Sequence, residues 1–247
     1  MSDSICYTNP FLKEVIFRVD FPTPLTNISE AVSPAVLRAI FENFPISEPQ
    51  VLQAQELQIS GSSVTTSSQE IKKWVYHGRE REKSISLESQ SITMAIKRYT
   101  TYANAFEEFQ KVLGALFNEN KDLFASRIGV RYINSLELNE PSPLTWGEYI
   151  HEDILGIVSF HAAENISRVF HVLEYNFDGQ SLKYQFGLPN PDYPAVIKQK
   201  QFILDLDSYF TGAYDEREIV ECINKCHFKI QELFEKSITE KTRDLMR

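Results

Sequence analysis

Alternating hydrophobic and polar residues mark strands in the first half of the chain. The stretch EVIFRVDF, residues 14–21, places every second side chain on one apolar face: Val15, Phe17, Val19 and Phe21. Pro22 ends this strand, because proline cannot continue the hydrogen-bond ladder. Further strands are predicted at 50–59, 69–77, 83–88 and 91–98. Short polar turns separate these strands, which indicates an antiparallel meander.

Two helices are predicted in the same half from apolar residues that recur every three or four positions. Ser33 is suited to cap a helix over 33–44, with Pro34 at its first position. A second helix is predicted over 104–124, where Asn104 and Glu107 have the spacing of a capping box.

The second half repeats the theme of strands followed by a helix. RIGVRYINSLEL, residues 127–138, and residues 200–210 are predicted strands, and TWGE, residues 145–148, predicts a short capped helix. Residues 167–188 predict a hairpin, since Asp178-Gly179 suits a type I′ turn. Residues 215–247 contain neither Gly nor Pro and predict one long helix.

These elements predict an α+β fold in which antiparallel meanders pack against helices. The two halves, 1–124 and 125–247, each read as strands followed by a helix, and a loose echo between GALFNENK and QELFEKSITEK suggests an internal duplication. Because no Pro- or Ser-rich linker separates the halves, one intimately packed unit is an open alternative to two domains.

Composition narrows the classes of function. The chain has 247 residues, 43% of them hydrophobic, which is ample for a core. The net charge of −9 disfavours binding to nucleic acid or to an anionic membrane surface. No apolar run is long enough to span a bilayer and no secretory leader is visible, and the three cysteines fit a reducing compartment, so a cytoplasmic location is expected.

One predicted strand carries two arginines on one side. Arg127, Gly129 and Arg131 share a face, with the two arginine backbones about 13 Å apart, whereas Asn134 belongs to the opposite face. A guanidinium pair beside a glycine can form an anion-binding concavity. The alternative is that both arginines pair with carboxylates of neighbouring elements.

A second strand offers those carboxylates. Asp205 and Asp207 share a strand face and are weak candidates for metal ligands. No third clustered carboxylate accompanies them in the sequence, and the alternative is that they neutralise Arg127 and Arg131. With only 9 glycines and no Gly-rich phosphate loop, no cofactor is predicted.

The last predicted helix carries a heptad pattern. Its apolar residues follow 4-3-4-3 spacing: Ile219, Ile223, Cys226, Ile230 and Leu233. The predicted helix is longer than a small sheet is wide, so its end should overhang, and Ile238, Leu245 and Met246 in that end would be poorly placed in water. We expect a homodimer in which this helix takes part, although the same stripe can pack on the chain's own sheet.

Three segments together resemble one uncharacterised prokaryotic family of proteins of similar length: NPFLKEVIFRVDFP, RIGVRYIN and LFEKSITEKTRDLM. The resemblance spans the whole chain and draws attention to Arg127, Arg131 and Asn134, which lie in its central motif. The family has no known activity. Its sporadic occurrence among bacteria and archaea implies lateral transfer, which suits accessory, defence or toxin–antitoxin components.

Two functions follow as expectations. The first is a non-enzymatic interaction or regulatory protein, favoured by the acidic composition and the long C-terminal helix. The second is a metal-dependent enzyme acting on a phosphate or nucleic-acid substrate, with Arg127 and Arg131 as anion clamps and Asp205 and Asp207 as metal ligands. Convergence of the four side chains on an open pocket would favour the enzyme.

Overall fold

The computed structural model describes residues 5–26, 28–60, 63–156, 158 and 161–247, and for residues 52–60 and 63–71 it describes the backbone alone. The strands are β1 (Leu12–Asp20), β2 (Ile46–Ser47), β3 (Gln50–Ser60), β4 (Ser63–His77), β5 (Lys83–Glu88), β6 (Ser91–Ile96), β7 (Ala125–Leu138), β8 (Val169–Phe177), β9 (Gln180–Leu188) and β10 (Lys200–Tyr214). The helices are α1 (Pro34–Phe41), α2 (Tyr102–Glu119), α3 (Glu152–Leu155), α4 (Glu216–Ser237) and α5 (Glu240–Met246), with a 3₁₀ turn at Ala163–Asn165.

The described strands form one antiparallel sheet with β1 and β7 side by side at its centre. The strand order is β2-β4-β5-β6-β1-β7-β10-β9-β8, with β3 paired to β4. The predicted α+β class with an antiparallel sheet is therefore confirmed. Each half repeats one order outward from the centre, β1-β6-β5-β4 and β7-β10-β9-β8. This agrees with a strand-then-helix repeat, while the division into domains at 124/125 stays a prediction.

The helices and the core lie on one face of the sheet. The apolar side of β1 is fully buried, as its alternation predicts, and Phe17 packs on Phe109 of α2 with ring centroids 5.6 Å apart. Helix α4 packs in the same way against β7 and β10. Since strand side chains alternate between faces, the polar residues of these strands lie on the opposite side, the open face.

The first two helices begin where side-chain caps are available. Ser33 Oγ accepts a hydrogen bond from the Val36 amide at 3.3 Å, which confirms the predicted cap of α1. Helix α2 begins two residues earlier than its predicted cap. Thr101 is the N-cap and accepts a hydrogen bond from the Asn104 amide at 3.2 Å, so the capping role predicted for Asn104 is wrong.

The predicted short helix at 145–148 is also wrong. Trp146 is buried against Phe202, with ring centroids 5.4 Å apart, and its indole donates to the Pro143 carbonyl at 2.9 Å. Burying this large side chain fixes the segment as turns, and the nearest helix is the four-residue α3. Residues 145–148 therefore do not cap a helix; they form turns that place Trp146 in the core.

The C-terminal segment is two helices instead of the predicted single one. Helix α4 starts at a capping box made by Asp215 and Glu218 and ends at Ser237, where Ile238 becomes extended and pairs with Ile150. Helix α5 then folds back, so that Ile238 and Met246 are buried. Neither helix, nor any other in the described part of the chain, is long and apolar enough to cross a membrane.

The heptad positions of α4 are used within the chain itself. The first four of the five positions are completely buried in the core, and the fifth, Leu233, is partly buried: Ile219, Ile223, Cys226 and Ile230 are the buried ones. A partner helix cannot pack on a seam that the chain's own sheet already covers. Whether the protein dimerises stays a prediction.

Candidate functional site

Arg127 and Arg131 of β7 meet Asp205 and Asp207 of β10 on the open face of the sheet. The contacts run diagonally between the two strands, because Arg131 pairs in register with Asp207 yet binds Asp205. Arg131 donates from Nε to Asp205 Oδ1 at 2.7 Å and from Nη2 to Asp205 Oδ2 at 2.5 Å. This two-pronged contact is the strongest geometry available to an arginine–carboxylate pair.

Arg127 is held more loosely by three groups. Its Nη2 donates to Asp207 Oδ2 at 3.4 Å, and its Nη1 lies 4.0 Å from Asp20 Oδ2. The guanidinium also stacks over the ring of Tyr209, with its carbon 4.5 Å from the ring centroid. Asp20 in turn accepts from Arg18 Nε at 2.8 Å.

Together these residues form a row that we call the charge ladder: Arg18, Asp20, Arg127, Arg131, Asp205 and Asp207. Three arginines and three aspartates give a formal charge of zero. Burial raises the pKa of Asp207 above its usual value, while Arg127 and Arg131 pull it down. The hydrogen bonds with Asp205 raise the pKa of Arg131. The ladder thus carries charges that neutralise one another.

Gly129 leaves room for this arrangement. A Cβ on Gly129 would stand 3.2 Å from Arg127 Nη1 and 3.3 Å from the Cβ of Tyr209. The space above the glycine, which the sequence suggests for a ligand, is therefore filled by the stacked Arg127 and Tyr209. In the structure both arginines are engaged by carboxylates.

Asn134 lies away from the ladder, on the helix side of β7. Its side chain is buried, and Nδ2 donates to the Leu204 carbonyl at 3.3 Å. The structure therefore separates Asn134 from Arg127 and Arg131, the residues with which the resemblance groups it.

The carboxylates of Asp205 and Asp207 are the weak metal candidates. Across the residues that the structure describes, no group of three or more His, Cys, Asp or Glu side chains is arranged to hold a metal ion. Both aspartates instead accept hydrogen bonds from arginines. A metal at this position would have to displace Arg131 from Asp205.

Strand β8 presents an apolar surface at the end of the sheet. Four of its large hydrophobic side chains are exposed: Phe170 (50%), Val172 (49%), Leu173 (43%) and Phe177 (36%). Phe170 and Val172 lie on the open face, while Leu173 and Phe177 lie on the helix face. We call this strand and these side chains the β8 edge. Because large apolar side chains are exposed on both faces of this strand, the β8 edge is a candidate interaction surface.

The backbone of the β8 edge is also open to pairing. Asp178 and Gly179 have φ values of 49° and 91°, so they form the predicted type I′ turn. In such a hairpin Phe177 and Gln180, which flank the turn, form a hydrogen-bonded pair. Every second residue back from Phe177 is therefore hydrogen-bonded to β9. The residues between them have amides and carbonyls that point away from β9: Phe170, Val172, Glu174 and Asn176. Among the described strands, β8 is the last in the sheet order.

Sequence reasoning missed this edge. The Asp178-Gly179 pair identified the hairpin, but not that its first strand begins with apolar side chains on both faces. The available signal is residues 169–173, VFHVL, in which hydrophobic residues occupy both faces of a strand. That pattern is typical of a strand whose two faces are both covered, whereas in the structure apolar side chains are exposed on both faces of β8.

Comparisons with known proteins add no assignment to this geometry, since no family model matches the chain and no curated protein is significantly similar to it. The resemblance of three segments to an uncharacterised family stays a prediction.

Proposed function

We propose that the protein is a non-enzymatic interaction protein that self-associates by pairing the β8 edge with that of a second copy. The observation that supports this most directly is an exposed, apolar, nine-residue strand at the end of the sheet. Natural proteins usually protect such edges with charges, proline or covering loops, because an unprotected edge adds strands from other chains. Strand β8 has one charged residue, Glu174, and no proline.

A second copy is the occupant that this strand fits best. Two identical strands related by a two-fold axis pair antiparallel, and overlap of all nine residues places the axis at Leu173. In that register Leu173 faces itself, Val169 faces Phe177, and Val172 faces Glu174. The acidic side chain therefore stands opposite an apolar residue and not opposite its own copy. Directly opposed like charges, which destabilise strand pairs, are avoided.

The C-terminal helix borders this surface. Phe228 of α4 is exposed, and Lys229 Nζ lies 4.6 Å from the centre of the Phe177 ring. A copy paired on β8 would contact this flank of the helix. The expected participation of the C-terminal helix in a homodimer is thus retained, through its outer flank and not through its heptad seam.

The cellular setting of such a protein follows from composition and resemblance alone. We propose a cytoplasmic accessory, defence or toxin–antitoxin component with a protein partner. Nucleic acid is a poor partner for a chain with net charge −9. The alternative, a metal-dependent enzyme acting on a phosphate or nucleic-acid substrate, requires Asp205 and Asp207 to exchange their arginines for a metal.

Sedimentation velocity on the full chain tests self-association. The chain has a mass of 28.5 kDa, so the proposal expects a species of twice that mass. Val172→Glu places an acidic side chain opposite Glu174 of the second copy, so it is expected to give a monomer with unchanged circular dichroism. Val51→Glu is the matched control, because Val51 is similarly exposed on β3 in the opposite half of the sheet, and it should remain dimeric. A monomeric unmodified chain, or a Val172→Glu variant that stays dimeric, contradicts the proposal.

A further inference from the structure

A cavity of about 70 Å³ lies beneath the N-terminal segment, residues 5–12, against α4 and β7. We call it the N-terminal cavity. Its wall is mostly apolar, with Leu12, Ile230, Phe234 and Met246 among the lining residues. Its position on the helix side of the sheet separates it from the charge ladder and from the β8 edge.

The floor of the N-terminal cavity is a chain of hydrogen-bonded rings. The hydroxyls of Tyr99 and Tyr132 lie 3.0 Å apart, and the Tyr132 hydroxyl lies 2.8 Å from His227 Nδ1. The ring of Tyr102 stacks on His227 with centroids 3.8 Å apart. Burial lowers the pKa of His227 to about 4, so this histidine is neutral at pH 7. The floor is therefore polar but uncharged.

Gln231 supplies an acceptor that the described residues do not satisfy. It follows His227 by one turn of α4 and lines the same cavity. Its Oε1 is buried, and no donor in the described part of the chain hydrogen-bonds to it. A buried amide oxygen without a donor destabilises the fold, so it marks a place where a donor is expected to bind.

Charges at the mouth of the cavity are paired. Glu235 accepts from the Tyr7 hydroxyl at 2.8 Å and from Arg243 Nε at 2.8 Å. The N-terminal segment is tied down on the same side, where the Asn9 amide donates to the Met246 carbonyl at 2.9 Å. A charged ligand would find no free counter-charge among these groups, which favours a neutral one.

We propose that the N-terminal cavity binds the end of a small neutral molecule that is largely apolar, and that the Gln231 amide turns into the cavity so that its Oε1 accepts one hydrogen bond from that molecule. The volume limits what can enter, since a cavity that holds benzene measures roughly 150 Å³. A cavity of about half that size takes the edge of a five-membered ring or a short chain end, and the rest of the molecule would extend past residues 5–10. This site is independent of self-association, and either proposal can fail without the other.

Pyrrole and furan are the probes that test it. They have nearly the same shape, but pyrrole has an N–H donor and furan has none. The chain has 3 methionines, so methyl-¹³C methionine labelling gives a simple spectrum in which Met246 reports on the cavity. Met94 is fully buried in the core and serves as the internal reference. The proposal expects pyrrole to shift the Met246 signal saturably, with Met94 unmoved, and furan to bind about tenfold more weakly.

Variants then test whether Gln231 causes the difference in affinity between pyrrole and furan. Gln231→Leu is expected to bind both probes equally, whereas Gln110→Leu, at an exposed position of α2, keeps the preference for pyrrole. The two-probe comparison on the unmodified chain needs no variant, so it decides even if Gln231→Leu does not fold. Absence of a saturable Met246 shift, or equal binding of pyrrole and furan to the unmodified chain, overturns the proposal; equal binding would indicate that a water molecule satisfies Gln231.

Discussion

Arg131 lies opposite Asp207 in the strand register, but its guanidinium donates to both carboxylate oxygens of Asp205, at 2.7 Å and 2.5 Å. Asp205 is buried to all but 8% of its surface, so its charge depends on this contact. The two residues connect β7 at the centre of the sheet with β10. Their pairing ties the charge ladder into the fold, because each of its arginines is engaged by an aspartate.

We predict that Arg131→Ala is more destabilising than Lys111→Ala. Removing Arg131 leaves the Asp205 carboxylate poorly solvated and should cost about 1–2 kcal/mol, a figure reduced because the Arg131 side chain is 39% exposed. Lys111 forms exposed contacts with Glu42 and Glu107, and its loss should be close to neutral.

Urea unfolding of both variants measures the difference. Asp205→Leu combined with Arg131→Met tests the cause, because removing both charges should recover part of the loss. Equal unfolding midpoints for Arg131→Ala and Lys111→Ala would contradict the assignment.

We predict that Gly187→Ala is strongly destabilising and disrupts the β8–β9 pair. Gly187 has a φ of 153°, and a Cβ there would lie 2.0 Å from the Val169 carbonyl oxygen. That oxygen belongs to the backbone and cannot rotate away, so a loss above about 2 kcal/mol is expected. Gly147→Ala is the matched control, since nothing lies within 4 Å of the added Cβ. Thermal unfolding of the two variants distinguishes them; a Gly187→Ala midpoint equal to that of the control refutes the clash.

We predict that stability falls between pH 6.5 and pH 4 because of His227. Its folded-state pKa is lowered from 6.5 to about 4 by burial. In this window the unfolded chain binds a proton at His227 and the folded chain does not, so the free energy of unfolding decreases as the pH falls. The shift in the pKa of His227 corresponds to a loss of about 3 kcal/mol in the free energy of unfolding over this window.

His227→Gln isolates this contribution. The stability gap between the unmodified chain and this variant should narrow by about 3 kcal/mol between pH 6.5 and pH 4. His161→Gln, at an exposed position, is the matched control for replacing a histidine by glutamine. A gap that stays constant across the window would show that His227 is not kept neutral by the fold.

Periodicity predicted the parts of the fold that depend on neighbouring residues in the sequence. The buried face of 14–21 and the Asp178-Gly179 turn follow from local alternation and from the φ values that glycine permits. Alternation also placed Asn134 on the face opposite Arg127 and Arg131, where the structure has it.

What could not be predicted depends on contacts between distant segments. The adjacency of β1 and β7, and the end position of β8, are set by how strands pair, which alternation along one strand does not encode. The break at Ile238 is set by its pairing with Ile150, a residue of another segment. In the same way, the diagonal contact between Arg131 and Asp205 depends on the β7–β10 register.

Disulfide cross-linking at Leu173 tests self-association through β8 at the residue that would lie on the two-fold axis. In the proposed register the two Leu173 residues face each other as a non-hydrogen-bonded pair with Cα atoms about 4.5 Å apart, within the range that a disulfide spans. Cys6 is exposed and would be replaced by serine, whereas Cys222 and Cys226 are buried. Self-association through β8 predicts that Leu173→Cys forms a disulfide-linked dimer under mild oxidation and that Val51→Cys does not. A Leu173→Cys chain that remains monomeric, or equal cross-linking at both positions, would contradict it.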